Sequence, residues 1–352
     1  MHQTVEGPAR KIKTGLIGCG NIAPMHADAL SLLPESEFLA VCDADSSRSN
    51  SLATKYSVPE AHGSLTDLLG SGIDALLVCT PHPAHESIVI QAAEAGVHVL
   101  CEKPIAVQLD QADRMIEAAD RAGVNFGVIF QRRFWPAAQR IRTAIDDGSI
   151  GFPTLGLSQT YLWRPKSYFA MDEWRGKWET EGGGVLMNQA VHMIDMLQWY
   201  MGPVTEVYGK HVTLVHQDYI DVEDTAVATL VFESGALGLI QATTTVKPDF
   251  GFRVSIHGSN GTTLSVWEHP EGNQGINDTW TLDATGEQPK AWEAEEGGQS
   301  MYPTFHRLQI EDFLRSIIEQ RPPAVTGAEA RKSLAIILAI YESSRSGKPV
   351  RL

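Results

Sequence analysis

Two short strings of this chain contain residue types at spacings that can do chemistry. Residues 18–23 (Gly-Cys-Gly-Asn-Ile-Ala) place two glycines where a turn can bring backbone N–H groups against a phosphate. Residues 101–104 (Cys-Glu-Lys-Pro) set the ammonium group of Lys103 beside a proline at the end of a predicted strand. Because open α/β sheets bind ligands at the carboxyl ends of their strands, the two strings together indicate a nicotinamide enzyme with a catalytic lysine.

The residues of the glycine turn are predicted to bind a dinucleotide. Gly18 permits the sharp turn, and Gly20 lets the backbone approach a pyrophosphate. Asn21 and Ile22 stand at the start of the following helix, whose unpaired N–H groups face the phosphates. The glycines alone leave an ordinary tight turn as the alternative.

Asp43 ends the second predicted strand, where its carboxylate can accept hydrogen bonds from the adenosine ribose hydroxyls. The alternative is that Asp43 caps the next helix. A carboxylate at this place repels a 2′-phosphate, so the sequence favours NAD. NADP stays open as the second cofactor because Arg48 is close enough in sequence to reach over.

Composition limits the classes of partner. The chain has 352 residues, of which 43% are hydrophobic and 20% are charged, and this size suits about two domains. A net charge of −15 argues against nucleic acid or an anionic membrane surface, since either would be repelled over most of the protein. The first dozen residues are polar, unlike a signal peptide, and apolar stretches such as 333–341 are shorter than the ~20 residues of a membrane helix.

The four cysteines, Cys19, Cys42, Cys79 and Cys101, form no CxxC pair and fall at or near predicted strand ends. This pattern favours buried thiols in a reducing compartment over disulfides or zinc. We therefore expect a cytoplasmic protein without a metal site. The HxxH string at residues 82–85 is assigned a nicotinamide-side or structural role rather than metal binding.

The N-terminal third alternates predicted strands with predicted helices. Strands are expected at 13–17, 37–43, 74–80, 97–101 and 125–129, and helices at 22–33, 47–56, 84–95 and 111–122. Such alternation makes an α/β domain with a parallel sheet covered on both faces. We assign residues 1–131 to this cofactor domain, with 1–11 as a flexible tail.

Past residue 150 the pattern changes to consecutive strands. They are expected at 154–162, 204–216, 226–232, 236–245 and 251–257, which predicts a large, mostly antiparallel open-faced sheet in an α+β domain at 132–352. Residues 268–300 are the one long irregular stretch. Helices at 304–319 and 327–346 are expected to pack back toward the first domain. The uncovered sheet face predicts a homo-oligomer, either a dimer or a tetramer.

The chain resembles the Gfo/Idh/MocA family (glucose-fructose oxidoreductase, inositol dehydrogenase, rhizopine catabolism) from residue 13 to its C-terminus. The resemblance lies in the glycine turn, in Thr80-Pro81 followed by His85, in residues 102–104 (Glu-Lys-Pro), and in residues 182–195 (Gly-Gly-Gly-Val-Leu-Met-Asn-Gln-Ala-Val-His-Met-Ile-Asp). It implies a Rossmann domain, a C-terminal domain for substrate binding and oligomerisation, and NAD(P)-linked oxidation of polyols or sugars.

The resemblance also implies further residues of the cofactor and substrate sites. It implies that Thr80, Pro81, His85, Glu102 and Lys103 lie against the cofactor. Tyr168, residues 174–178 (Trp-Arg-Gly-Lys-Trp) and Asn188 resemble the branch that oxidises C3 of pyranosides, including nucleotide-sugar 3-dehydrogenases.

Oxidation of a secondary alcohol needs a base for the hydroxyl proton and a cation for the developing alkoxide. Lys103 can supply the charge and the hydrogen bond, and Glu102 can orient it. His192 lies on a predicted helix at 185–200, one turn from Asn188 and one turn from Asp195, so the three are expected on one face. Lys103 and His192 are thus the predicted catalytic residues.

Asn188 stands where many inositol-type members carry aspartate. An amide can hold a substrate hydroxyl but cannot relay a proton, which puts an Asp–His couple in doubt. Asp195 is expected to be a structural partner within the helix rather than a replacement.

The remaining substrate-binding candidates are polar or aromatic. Arg132 follows the fifth strand and contacts either substrate or the domain interface. Arg164 and Tyr168 can line a sugar site, because aromatic faces stack on pyranose rings and arginine binds hydroxyls or a carboxylate.

Three function classes remain. The first is a sugar or cyclitol dehydrogenase. The second is a lyase or glycosidase that oxidises one carbon transiently and retains its NAD. The third is a sensor of NAD or sugar, against which the presence of both Lys103 and His192 counts.

Overall fold

The computed structural model describes residues 11–282 and 301–352 and divides the chain into two compact units. The first unit contains residues up to 102 together with 113–129 and 306–327. The second contains residues 103–112, 130–305 and 328–352. The second of the two expected closing helices therefore lies in the second unit from residue 328, whereas most of the first closing helix lies in the first unit.

The first unit is built on a six-stranded parallel sheet in the order β3-β2-β1-β4-β5-β6. Its strands are β1 Ile12–Ile17, β2 Ser36–Cys42, β3 Glu60–His62, β4 Ala75–Val78, β5 His98–Cys101 and β6 Phe126–Val128. The helices that follow them are α1 Ala23–Leu32, α2 Ser46–Tyr56, α3 Leu65–Gly70, α4 His85–Glu94 and α5 Leu109–Ala122. The strand order reverses between β1 and β4, and ligands of such sheets bind beyond the carboxyl ends of the strands at this point.

The predicted parallel sheet is confirmed, and five of its strands lie where the sequence placed them. The sequence missed β3, which has only three residues and no buried apolar side chain. Apolar residues from β1, β2, β4 and the surrounding helices form one continuous core in this unit. Such a core fixes the strand ends that carry the candidate cofactor site.

The second unit is built on an eight-stranded sheet in the order β13-β12-β11-β7-β10-β9-β8-β14. Its strands are β7 Pro153–Tyr161, β8 Val204–Val212, β9 Thr225–Phe232, β10 Leu237–Thr243, β11 Gly251–Gly258, β12 Thr263–Glu268, β13 Ile276–Trp280 and β14 Val350–Arg351. The pair β7/β10 is parallel and the other pairs are antiparallel, so the predicted mostly antiparallel sheet is confirmed. Part of the stretch expected to be irregular forms β13, and residues 283–300 of that stretch lie outside the described residues.

The helices further along the chain are α6 Pro136–Asp146, α7 Lys166–Phe169, α8 Trp178–Glu181, α9 Val191–Met201, α10 Tyr302–Ile318 and α11 Gly327–Ser346. From His306 onward α10 belongs to the first unit, where Ile310, Phe313 and Leu314 enter the core. Gln309 Nε2 donates a hydrogen bond to Val128 O at 2.8 Å. No helix in the part of the chain that the structure describes is both long and apolar enough to cross a membrane.

Candidate functional site

The glycine turn follows β1 at the carboxyl edge of the parallel sheet. Gly18 has φ +91°, and a Cβ there would lie 2.6 Å from the Cys79 carbonyl carbon, so the fold itself requires glycine. Gly20 differs, because a Cβ at this position would meet nothing within 4 Å. The space beside Gly20 fits the close approach of a pyrophosphate that the sequence predicts.

Asp43 lies directly beside this turn. Its Oδ2 accepts a hydrogen bond from the Cys19 backbone N–H at 2.7 Å, and its Oδ1 accepts one from Asp45 N at 2.9 Å. The N-cap of α2 is Asp45, whose carboxylate accepts from Ser47 N at 2.9 Å. The alternative reading of Asp43 as the cap of this helix is therefore wrong. Arg48 pairs with Asp45 at 3.6 Å.

The turn after β4 contains Thr80, Pro81 and His85. His85 Nε2 lies 2.9 Å from the Thr80 carbonyl oxygen, which ties the start of α4 to the end of the strand. Thr80 Oγ1 is buried without a hydrogen-bond partner among the described residues. A buried hydroxyl in this state fits a polar group of a bound dinucleotide.

Glu102 ends the first unit's segment after β5 and is buried. Its Oε1 lies 2.7 Å from His26 Nε2 on α1 and 3.9 Å from His306 Nε2 on α10. Sequence analysis missed His26, whose contact with Glu102 spans 76 positions of the chain. The 2.7 Å contact with His26 is a hydrogen bond that fixes the Glu102 side chain at the carboxyl end of β5.

Lys103 begins the second unit's first segment, and its peptide bond to Pro104 is cis. Its Nζ donates hydrogen bonds to the backbone oxygen of Asn188 at 2.9 Å and to Asn188 Oδ1 at 3.3 Å. The structure thus brings together two residues that the sequence singled out separately.

Asn188 lies in a π-helical turn, Leu186–Ala190, that runs directly into α9. Three glycines before it allow the chain to pack closely: a Cβ at Gly183 would collide with the Tyr341 hydroxyl, and one at Gly184 with the Glu223 carbonyl oxygen. The Glu223 carboxylate accepts hydrogen bonds from Gly184 N at 2.7 Å and Leu186 N at 2.9 Å. A π turn of this kind is frequent at functional sites.

Glu223 is fully buried beneath this turn. The Tyr341 hydroxyl donates a third hydrogen bond to its Oε1 at 2.9 Å. Burial raises the pKa of Glu223 to about 7, although the donors around the carboxylate favour its ionised form.

A second carboxylate, Glu181, contacts the side chain of Asn188. Asn188 Nδ2 donates to Glu181 Oε1, and the Gly176 backbone N–H donates to Glu181 Oε2. The Tyr168 hydroxyl accepts from Gln189 Nε2 at 2.9 Å and from Arg175 Nη1 at 2.7 Å. Sequence analysis missed Glu181, although its place directly before the three glycines was available as a signal.

His192 is buried in the first turn of α9, with its ring edge-on to Phe130 at a centroid distance of 5.6 Å. Asp195 lies further along α9 and forms an ion pair with Arg133. Asp195 thus has the structural role that the sequence predicts, but its partner lies outside the helix. The expected common face of Asn188, His192 and Asp195 rests on regular helical spacing, which the π turn interrupts.

Arg132 is buried in an ion pair with Glu268, at 2.7 Å from Nη2 to Oε2, and it also donates to the Tyr302 hydroxyl at 3.1 Å. This pairing within the second unit weighs against substrate binding by Arg132, which stays a prediction. Arg164 pairs with Glu271, and its guanidinium lies 5.0 Å from the centre of the Tyr168 ring. Asn188 Nδ2 also donates to the Tyr168 hydroxyl at 3.4 Å, so Arg164, Tyr168 and Asn188 form one polar and aromatic cluster.

Two family models match the chain. Residues 12–130 match the Gfo/Idh/MocA model described as "Oxidoreductase family, NAD-binding Rossmann fold". Residues 142–352 match the model described as "Oxidoreductase family, C-terminal alpha/beta domain".

Three similar proteins illustrate the range of relatives. The WlbA dehydrogenase of Bordetella pertussis, solved in complex with NADH and UDP-GlcNAcA, is 32% identical with a TM-score of 0.84, over 97% of this chain and 99% of that chain. The Uncharacterized oxidoreductase YrbE of Bacillus subtilis is 32% identical over 265 residues, 74% of this chain and 75% of its own. Myo-inositol 2-dehydrogenase of Thermotoga maritima is 28% identical over 353 residues, 97% of this chain and 98% of its own.

Proposed function

The chain belongs to the Gfo/Idh/MocA family of NAD-binding oxidoreductases, and we propose that it oxidises a secondary hydroxyl of a sugar, a sugar derivative or a cyclitol. The observation that carries this proposal is the position of Lys103. Its Nζ donates to the backbone and side-chain oxygens of Asn188, whose Nδ2 in turn contacts Tyr168 in the cluster with Arg164. An ammonium group fixed beside sugar-binding side chains suits the activation of a hydroxyl.

The residues of the first unit suit the binding of the cofactor. Gly20 leaves space for the pyrophosphate, and Asp43 offers a carboxylate to the adenosine ribose. Thr80, Pro81, His85 and Glu102 are proposed to contact the nicotinamide half. NAD supplies the acceptor for the hydride that leaves the carbinol carbon.

Lys103 and His192 are proposed to manage the proton of the reacting hydroxyl. Lys103 stabilises the developing alkoxide by its charge and hydrogen bond, and His192 is a second group that can take up or return a proton. Asn188 positions the substrate hydroxyl and does not itself titrate. The two catalytic residues thereby divide charge stabilisation and proton transfer between them.

For the substrate we propose a pyranoside oxidised at C3, with nucleotide sugars included. Tyr168 offers a ring for stacking, and Arg164 and Arg175 both lie against that ring. Each guanidinium also pairs with a carboxylate, Arg164 with Glu271 and Arg175 with Asp172, and its remaining N–H groups suit hydroxyls and a carboxylate or phosphate on the sugar. The similarity to a dehydrogenase solved with UDP-GlcNAcA supports the same substrate class.

A substrate screen tests the proposal. Purified protein is offered pyranosides, nucleotide sugars, inositols and their acids with NAD and with NADP, and reduced cofactor is followed by absorbance. Lys103→Ala and His192→Ala should each lower turnover by roughly 10²–10⁴-fold with NAD affinity kept, as positioned acid–base groups do. The exposed Lys348→Ala, outside every proposed site, serves as a control with normal turnover. Near-normal turnover of both site variants would overturn the catalytic assignment.

We also propose that the protein is a homo-oligomer, a dimer or a tetramer. One face of the eight-stranded sheet carries exposed apolar side chains, among them Tyr208, Val227 and Leu237. Burial of such a face against a second copy removes this apolar area from water. Light scattering at micromolar concentration tests the proposal, and a monomer mass would refute it.

A further inference from the structure

The side-chain amide of Asn188 lies between a cation and an anion. Its Oδ1 accepts a hydrogen bond from Lys103 Nζ, and its Nδ2 donates one to Glu181 Oε1. We propose that Glu181 is a positioning residue of the dehydrogenase reaction, which fixes the orientation of the Asn188 amide and thereby the position of Lys103 Nζ. This inference rests on the proposed function and adds a residue to its site.

The chemistry of the two contacts admits one orientation of the amide. An ionised carboxylate only accepts hydrogen bonds, and an ammonium group only donates them. If the Asn188 amide turned over, its oxygen would face the Glu181 carboxylate and its NH₂ group would face Lys103. Both contacts would then be repulsive, so Glu181 selects the orientation that presents Oδ1 to Lys103.

The groups around Glu181 stabilise its ionised carboxylate. The second carboxylate oxygen accepts a hydrogen bond from the Gly176 backbone N–H, and the positive charges of Arg175 and Lys103 act on the group. Burial nevertheless raises the pKa of Glu181, because only 1% of the residue is exposed. Tyr168 on α7 and Tyr341 on α11 are further titratable groups that sense its charge.

The position of the carboxylate also explains why an amide suits residue 188. An aspartate there would place a second carboxylate against Glu181, and two like charges at this distance cannot both ionise readily. An exchange of the two side-chain types avoids this conflict. In the double variant Glu181→Gln/Asn188→Asp, the amide introduced at position 181 can donate to the new carboxylate, which still accepts from Lys103.

Kinetics of matched variants test the proposal. Glu181→Gln should lower kcat about 10-fold or more, because the amide loses its fixed orientation. Its pH–rate profile should move to lower pH, since removal of a nearby negative charge lowers the pKa of a lysine. Glu179→Gln removes the same charge from an exposed position of α8 and should leave kcat and the pH–rate profile unchanged. The exchange variant should recover part of the lost rate.

A purely structural role for Glu181 gives a different result. It predicts a lower melting temperature for Glu181→Gln with the kcat and pH profile of the unmodified protein, and this outcome would overturn the proposal. Failure of the exchange variant to recover rate in a folded protein would also count against it. Circular dichroism of each variant shows whether it is folded.

A readout that needs no turnover separates this inference from the proposed function. Acetic anhydride labels amines only when they are deprotonated, so labelling of Lys103 against pH, followed by mass spectrometry, reports its titration without sugar or NAD. The Lys103 profile should move to lower pH in Glu181→Gln and stay unchanged in Glu179→Gln. If Glu181→Gln leaves the Lys103 profile unchanged and the unmodified protein oxidises a sugar, the role of Glu181 is refuted while the proposed function stands. A shifted profile without oxidation of any tested sugar refutes the proposed function alone.

Discussion

Arg133 and Asp195 form a bidentate ion pair in which Nε–Oδ2 and Nη2–Oδ1 are both 2.7 Å apart, with the carboxylate fully buried. Asp195→Ala leaves the arginine with the longer contact to Glu329, at 3.4 Å. Loss of one partner of a buried pair should lower the free energy of unfolding by about 3–5 kcal/mol.

Denaturant titration measures this effect. Asp146→Ala is the control, because Asp146 pairs with Arg142 in an exposed i,i+4 contact. Such a pair contributes only ~0–1 kcal/mol. Equal stability losses in the two variants would contradict the structural role of Asp195.

Two glycines should respond in opposite ways to substitution by alanine. Gly20→Ala adds a Cβ that meets no protein atom, so the melting temperature should stay unchanged while NAD affinity falls. Gly184→Ala should lower the melting temperature, because its Cβ collides with the Glu223 carbonyl oxygen. Thermal unfolding measures the melting temperature of each variant, and calorimetric titration with NAD measures its affinity. Normal NAD binding by Gly20→Ala would argue against a pyrophosphate at this turn.

Asp43 should determine the choice between NAD and NADP. Asp43→Ala removes the ribose acceptor and the repulsion of a 2′-phosphate, each an effect of ~1–3 kcal/mol, and should narrow the preference for NAD. Asp120→Ala, which removes an exposed carboxylate of α5, should leave the ratio of the two affinities unchanged. Calorimetric titration that shows tighter NADP binding in the unmodified protein would refute the assignment.

Glu223 should make stability depend on pH near neutrality. Its pKa lies at about 7 in the folded protein against an ordinary value of 4.5, so the folded state binds this proton more tightly than the unfolded chain does. The stabilisation is therefore fully present below pH 4.5 and is lost as the pH rises through about 7.

Comparison with Glu223→Gln isolates this contribution. The melting temperature of the unmodified protein should fall relative to that of the variant as the pH rises from about 6 to about 8. Other titrating groups are common to both proteins and cancel in the difference. A difference that is constant across this pH range would show that Glu223 does not bind the proton.

Local patterns in the sequence were sufficient for the parallel sheet, the glycine turn and the place of Asp43. They were insufficient for β12, β13 and β14, which the five predicted strands of the second unit do not include. The Lys103–Asn188 contact joins residues 85 positions apart, so the sequence could name its members but not their pairing. His26 was missed for a similar reason, since its contact with Glu102 spans 76 positions, whereas Glu181 lies seven positions from Asn188 and was signalled only by its place before the three glycines.

Each unit is assembled from three separate stretches of the chain, and one passage between the units falls between Glu102 and Lys103. A chimaera that exchanges the second unit for that of a relative therefore cannot be made with a single crossover. A fragment that ends at residue 131 would also lack Ile310, Phe313 and Leu314 from its core and would expose the apolar surface they cover. Recombination for new sugar specificity would have to join the donor and recipient sequences at every point where the chain passes from one unit to the other. Two of these junctions would flank residues 103–112, the short segment that contains the proposed catalytic lysine.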